Sequence, residues 1–512
     1  MTSKVASAGA RVGGAWARPF ASSLEIERRT RVALVLAAMA TAGALGFVGL
    51  DDKSIWLDEA FSADVARLGW DDLWRIVAQR QANMGLHYVL LHLWIGFGDG
   101  EVALRSLSVL ATVLTVPLVY ALGARLFDAQ TGLATAGLIA VNAYAVRYAQ
   151  EARGYALALL LTTAATLLFV RGLQRSRWSD WAGYALTGAL ATYAHFFAAF
   201  VLAAHGLSLA FRRRRDVPWK ALLASYAGLG ALLGPLALFV VSQDRGQIDW
   251  IPRPTPADLV TAFRDLTGQG GPLLLALYAG LGCVFVIAAW RTWARRGRSS
   301  DAWRYALLLA WLFVPALGSF GLSFVKPIFQ TRYLVVSLPA LALIAVVGLL
   351  YLGRPLVIGV VALALLAGSA YGLFGWYTGY PKEDWRSATR FVLSYDEPGD
   401  GVLFFFVRAR RPFEHYLAAF DSLQEAPEPV YPPLPWGTAA GLNVKLPSPR
   451  AVERRLSSLD TERYPRIWLV TSHVNDRKRR SVQALLAKNY ERVTGRHFTR
   501  VDVALYDARP TP

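Results

Sequence analysis

The sequence predicts a mostly α-helical, polytopic transmembrane bundle of about eleven spans, followed by a C-terminal extracytoplasmic α/β domain. Three observations predict it. Of 512 residues, 54% are hydrophobic and only 18% are charged. Apolar runs near the ~20 residues of a bilayer crossing recur as far as residue 379. Basic residues collect in the short loops on one side of those runs.

Residues 1–31 read as a cytoplasmic tail carrying Arg11, Arg18, Arg28, Arg29 and Arg31. A signal peptide starts in the same way. The apolar run from Val32 to Leu50 is as long as a full crossing, however, and many others follow, so it reads as a retained first helix. Further spans fall near 102–123, 130–147, 154–172, 180–195, 196–211, 220–242, 272–292, 303–324, 332–351 and 354–377. Segment 84–98 is apolar but short, and reads as a re-entrant or interfacial helix of the first loop, 51–101.

With the N-terminus inside, the cytoplasmic loops are Arg125–Asp128, Arg171–Ser179, Arg212–Lys220, Arg291–Arg304 and Gly353–Arg354, all basic or nearly so. The outer loops are 51–101, 147–153, Asp244–Gly271 and Lys326–Thr331, which are acidic or mixed. The bundle then covers 32–379, and the domain over 380–512 lies outside. In that domain Gly401–Val407, Ile467–Thr471 and Val501–Asp507 read as strands, Trp385–Ser394 and Arg480–Asn489 as helices, and 425–450 as a long loop rich in proline and glycine. The net charge of +18 follows the loop pattern and does not indicate a nucleic-acid partner. The single cysteine, Cys283, excludes an intrachain disulfide.

The candidate chemistry lies on the outer face. Leu50 to Asp72 holds seven carboxylates, among them the pair Asp58-Glu59 just after the first span. Glu151 and Arg153 stand between the third and fourth spans, His195 at the end of the fifth, and Lys326, Arg332 and Tyr333 at the start of the tenth. Ionisable groups at helix ends near a bilayer are costly unless paired or solvated, so a shared polar cavity is expected. A carboxylate with several cations at that depth suits transfer of a sugar from a lipid phosphate. The acceptor hydroxyl needs a general base, and the leaving phosphate needs Arg or Lys. Simpler readings stand beside these: solvated loop charge for Asp58-Glu59, a local ion pair for Glu151 and Arg153, interface anchoring for Lys326 and Arg332, and structural histidines at 87, 92 and 195. No cofactor is expected to be required, and a divalent metal is possible but not supported by ligand spacing, since no His/Cys cluster has that spacing and a carboxylate pair alone is not diagnostic.

The order of motifs resembles the GT-C membrane glycosyltransferases, in the protein mannosyltransferase and lipid A aminoarabinose transferase branch (glycosyltransferase family 39 and relatives). The resemblance covers roughly residues 30–352. It rests on Trp56-Leu57-Asp58-Glu59, on Asn83–Trp94 with Leu86, Tyr88 and Trp94, and on Glu101–Arg105. Tyr148–Tyr155, Tyr193–Phe196, Lys326–Phe329, Arg332-Tyr333 and Pro339 complete it. It implies Asp58 as catalytic base with Glu59 in support, Arg332, Lys326 and Arg153 on the donor phosphate, and Glu151, His195, Tyr333, Tyr88 and His87 lining the cavity. It also implies an inverting, outer-face reaction with a polyprenyl-phosphate sugar donor and a lipid, glycan or protein acceptor. Relatives often carry His-Pro-Pro or Asn-Pro-Pro where this chain has Asn83-Met84-Gly85, which puts the local loop geometry and the acceptor preference in question. A flippase of lipid-linked sugars and a non-catalytic scaffold remain as alternatives. A transporter predicts inverted repeats and midplane charges, neither of which is legible in the sequence.

Overall fold

A computed structural model describes residues 27–242, 251–437 and 459–509. Most of the tail expected over 1–31 lies outside the described residues. So do positions 244–250 of the expected loop Asp244–Gly271 and 438–450 of the loop expected over 425–450. The chain divides into two compact units. One comprises Met1–Val48, Ala78–His87 and Ser108–Gly379; the other comprises Gly49–Val77, Tyr88–Leu107 and Tyr380–Pro512.

The first unit is a helical bundle. Among the described residues eight helices are long and apolar enough to cross a membrane: Arg28–Phe47, Glu101–Leu126, Tyr155–Arg175, Trp219–Val241, Gly271–Arg296, Ser300–Leu322, Thr331–Tyr351 and Pro355–Gly379. The other three expected spans are shorter or interrupted. The one near 130–147 is two helices, Ala129–Ala140 and Ala143–Ala149. Asn142 ends the first and starts the second, because its side chain accepts from the N–H groups of Tyr144 and Ala145. Helices Trp178–Ala194 and Ala198–Ser208 part at His195, whose backbone is extended. The central helix is Thr331–Tyr351, with 89% of its apolar window buried, against 17% for Arg28–Phe47 and for Pro355–Gly379. Those two turn most of their apolar surface outward, as lipid-facing helices do. Small residues let helices approach closely. A Cβ on Gly132 would stand 2.5 Å from the carbonyl oxygen of Tyr120.

The second unit carries a five-stranded sheet in the order β2-β1-β3-β5-β4. The strands are β1 Gly401–Phe405, β2 Glu428–Tyr431, β3 Arg466–Ser472, β4 Tyr490–Phe498 and β5 Val501–Ala508. β1 runs parallel to β2 and β3, while β5 runs antiparallel to β3 and β4. Leu403, Ile467, Leu469, Val482, Leu486 and Tyr506 share one core. Helices Trp385–Tyr395, Arg410–Ala419 and Asp476–Leu486 belong to the same unit. The last starts earlier than expected, where the Asn475 side chain accepts from the Lys478 N–H.

Two strands depart from the sequence reading. β2 lies in the stretch read as loop; it is an edge strand, so Pro429 disturbs no inner ladder. β4 is exposed over most of its length and carries no hydrophobic period to announce it.

Candidate functional site

In the sheet-bearing unit, helix Leu57–Ala66 begins at the acidic pair. Glu59 accepts from the Trp56 N–H and ties down the helix start. It is fully buried, and Arg105 meets it at two points, Nε to Oε1 at 2.8 Å and Nη2 to Oε2 at 2.7 Å. The other Arg105 donors go to the carbonyls of Leu50, Lys53 and Ser54. Lys382 Nζ lies 3.4 Å from Glu59 Oε2. Glu59 is thus the anion of a buried charge cluster that fixes the start of its helix.

Adjacent residues on a helix face different ways. Asp58 is half-buried, and its charge reaches His473. His473 Nε2 is 2.6 Å from Glu383 Oε1, and Trp385 Nε1 donates to Glu383 Oε2 at 2.6 Å. The hydrogen bond to Glu383 holds the imidazole above the usual histidine range; burial opposes this, and the charges of Glu383 and Asp58 add to it. Tyr88 is buried edge-on against Phe61, with the Arg411 guanidinium 4.6 Å from the Phe61 ring centre.

Asp64, two turns along the same helix, is raised from 3.8 to about 6 by burial, although Arg411 and Arg67 act against the shift. A raised carboxyl stabilises the fold fully below its unfolded value and loses that contribution as pH climbs through its folded value. The window here is about pH 4 to 6. Asp64→Asn should therefore gain about 2 kcal/mol on the wild type between pH 4 and pH 7, allowing for partial exposure. Thermal unfolding of both proteins at the two pH values reads this difference. A constant offset would mean that Asp64 is ionised throughout.

In the helical unit the site residues gather around His195. Gly154 packs so closely that a Cβ there would stand 2.7 Å from the Ala194 carbonyl and 3.3 Å from His87 Cβ. This seats the turn carrying Gln150, Glu151 and Arg153 against the end of helix Trp178–Ala194. Tyr144 Oη donates to the Thr331 carbonyl (2.7 Å) and brings the segment before Arg332 to the same place. His195 lies 4.6 Å from the Tyr333 ring and 5.6 Å from that of Tyr155. The charges of Arg153 and Arg332 both reach His195, and that of Arg153 also reaches His87. Arg153 is buried and Arg332 half-buried. Glu151 is buried with Arg147 Nε at 3.7 Å, so its ion-pair partner is Arg147. Gln150 donates to the Val48 carbonyl (2.7 Å) and accepts from Trp376 Nε1 (2.7 Å), which anchors the turn. Lys326 is exposed, just after helix Ser300–Leu322.

Arg105, Lys382, Glu383 and His473 were given no role from the sequence. Arg105 had one usable signal: it is a lone cation at the start of an apolar span, and such a charge needs a partner. The others lie more than 320 positions from Glu59 or Asp58, and no local pattern connects them. Among the described residues no group of three or more His, Cys, Asp or Glu side chains is arranged to hold a metal ion.

The family model for dolichyl-phosphate-mannose-protein mannosyltransferase matches residues 88–241. That stretch contains Tyr88, Glu151, Arg153 and His195. The structure is similar to crystal structures of ArnT from Cupriavidus metallidurans. In the apo state the TM-score is 0.58 at 13% identity, covering 93% of this chain and 98% of that one. The chain has an ArnT-like GT-C fold. ArnT bound to undecaprenyl phosphate gives a TM-score of 0.57 at 14% identity, over 93% of this chain and 98% of that one. The archaeal oligosaccharyltransferase AglB from Archaeoglobus fulgidus, in complex with an inhibitory peptide and a dolichol-phosphate, gives 0.53 at 12% identity. That match covers 94% of this chain and 74% of the other. No curated protein matches the chain by sequence. The GT-C fold and the helices just described make this a multi-pass integral membrane protein.

Proposed function

We propose that the chain is an inverting glycosyltransferase that moves a sugar from a polyprenyl-phosphate donor to an acceptor hydroxyl at the outer face of the membrane. The N-terminus is then cytoplasmic and the C-terminal domain extracytoplasmic. The observation that carries the reading is the convergence of Arg153 and Arg332 on His195, beside Tyr155 and Tyr333, at the ends of apolar helices. Two guanidinium groups at that depth suit a lipid-borne phosphate, whose planar recognition Arg serves better than Lys. The mannosyltransferase family match and the ArnT structure with undecaprenyl phosphate support the same donor class.

Asp58 takes the proton of the acceptor hydroxyl as its oxygen bonds to the anomeric carbon. The bond from that carbon to the phosphate oxygen breaks, and the polyprenyl phosphate leaves with the electron pair. Attack opposite the leaving group inverts the centre. Arg332, Arg153 and Lys326 stabilise the charge that develops on the phosphate. Glu59 holds the helix that carries Asp58, while Glu151, His195, His87 and Tyr333 surround the donor phosphate.

The test uses purified protein with radiolabelled polyprenyl-phosphate mannose and polyprenyl-phosphate arabinofuranose. Release of free polyprenyl phosphate is expected. Movement of intact donor between leaflets without cleavage would identify a transporter instead. Arg332→Ala should raise the donor KM about 10- to 100-fold, the scale of a lost charged hydrogen bond. An unchanged donor KM and kcat would remove Arg332 from the site.

A further inference from the structure

Strands β1 and β3 lie parallel and end side by side, with Phe405 paired to Thr471. Just beyond them, Phe406 and His473 both have left-handed backbones, with φ of 82° and 55°. Non-glycine residues rarely hold that conformation, and such strain collects where side chains must be aimed. Here it accompanies two rings whose centroids are 5.5 Å apart. The crevice beyond the carboxyl ends of parallel strands is where sheets of this kind bind ligands.

The polar group at these strand ends is held as firmly as the ring pair. Glu383 is 2% exposed and takes both Trp385 Nε1 and His473 Nε2, whereas the His473 side chain is 39% exposed. A buried carboxylate thus orients a solvent-facing imidazole and leaves Nδ1 for a ligand. Asp58 lies within electrostatic reach of the same ring.

We propose that Phe406 and His473 form the acceptor subsite and that the acceptor is a saccharide. One apolar sugar face lies on Phe406, one hydroxyl bonds His473 Nδ1, and a neighbouring hydroxyl is presented to Asp58. A hydroxyl both donates and accepts, so it matches Nδ1 in either protonation state. Using both groups requires two hydroxyls on one rigid frame, which a sugar has and a serine side chain lacks. His473 is a positioning residue and exchanges no bond in the reaction. The inference rests on the glycosyltransferase reading and on Asp58 as its base.

The experiment uses full-length protein, the two labelled donors above, a panel of octyl glycosides (mannoside, galactoside, arabinofuranoside) and a serine-containing peptide. Transfer to a glycoside is expected. His473→Ala should raise the glycoside KM at least about tenfold while the donor KM moves less than about twofold. His473→Gln, which keeps polar atoms, should recover part of the loss. His473→Phe, which keeps the ring and loses both nitrogens, should stay with the alanine variant. An unchanged glycoside KM, a parallel rise in both KM values, or equal behaviour of the Gln and Phe variants overturns the subsite. Wild-type protein that glycosylates the peptide and no glycoside overturns the saccharide. Protein that releases no polyprenyl phosphate with any acceptor fails at the glycosyltransferase reading itself, and the subsite falls with it.

Discussion

Asp58→Asn should lower the turnover of sugar transfer by about 10²- to 10⁴-fold, the usual contribution of a positioned general base. An amide has the shape of the carboxylate but cannot accept the acceptor's proton at neutral pH. The fold should survive the change. The helix start is held by the bond from the Trp56 N–H to Glu59, and Asp58 contributes its backbone carbonyl to Ser62. Removing one carboxylate from the first turn weakens the favourable dipole interaction by only about 0.3–1 kcal/mol. Donor binding should also persist, since the guanidinium groups assigned to the phosphate are Arg153 and Arg332. The expected result is a folded protein that binds labelled polyprenyl-phosphate sugar and barely cleaves it. Turnover within a few fold of wild type would mean that another group takes the proton.

The contrast with Glu59 shows what a sequence can and cannot tell. The dipeptide Asp58-Glu59 presents two similar carboxylates, and the sequence reading placed both at the catalytic site, Asp58 as base and Glu59 in support. Folding separates them: Glu59 is enclosed by Arg105 and Lys382, whereas the charge of Asp58 reaches His473. Helical periodicity says that neighbours diverge, but not what each will meet. The spans were legible because hydropathy is a local property. The parting at His195 was legible as the boundary between the spans 180–195 and 196–211, whereas the break at Asn142 was not separated from a continuous apolar run, because it depends on one side chain inside a hydrophobic stretch. β1, β3 and β5 were legible through their apolar content. β4 is exposed and β2 is proline-bearing, and both are held by partners remote in sequence. The gathering of Arg153, His195 and Arg332 was expected from their common position at helix ends. The pairing of Glu151 with Arg147 was not: Arg147 lies in the last turn of helix Ala143–Ala149 and Glu151 in the turn that follows it.

Glu59→Ala should destabilise the protein by about 3–5 kcal/mol, the cost of leaving one member of a buried ion pair without its partner. The guanidinium of Arg105 has 1% side-chain exposure and cannot turn to water. It would keep its three carbonyl acceptors but lose the only carboxylate that it is bonded to among the described residues. The Trp56 N–H would lose its bond to the carboxylate in the same step, which adds roughly another 1 kcal/mol. Arg105→Leu should cost a similar amount from the other side, because the carboxylate would lose its two short guanidinium contacts, while Lys382 stands at the longer distance of 3.4 Å. Removing both charges together, Glu59→Leu with Arg105→Leu, should cost clearly less than the sum of the two single changes, since neither ion is then stranded. Thermal unfolding in detergent, at a fixed scan rate because membrane proteins often unfold irreversibly, reads the three midpoints. Additive losses would mean that the pair is not coupled. A Glu59→Ala protein with the wild-type midpoint and no transfer would mean that Glu59 serves the reaction, directly or by positioning Asp58, and not the stability of the fold.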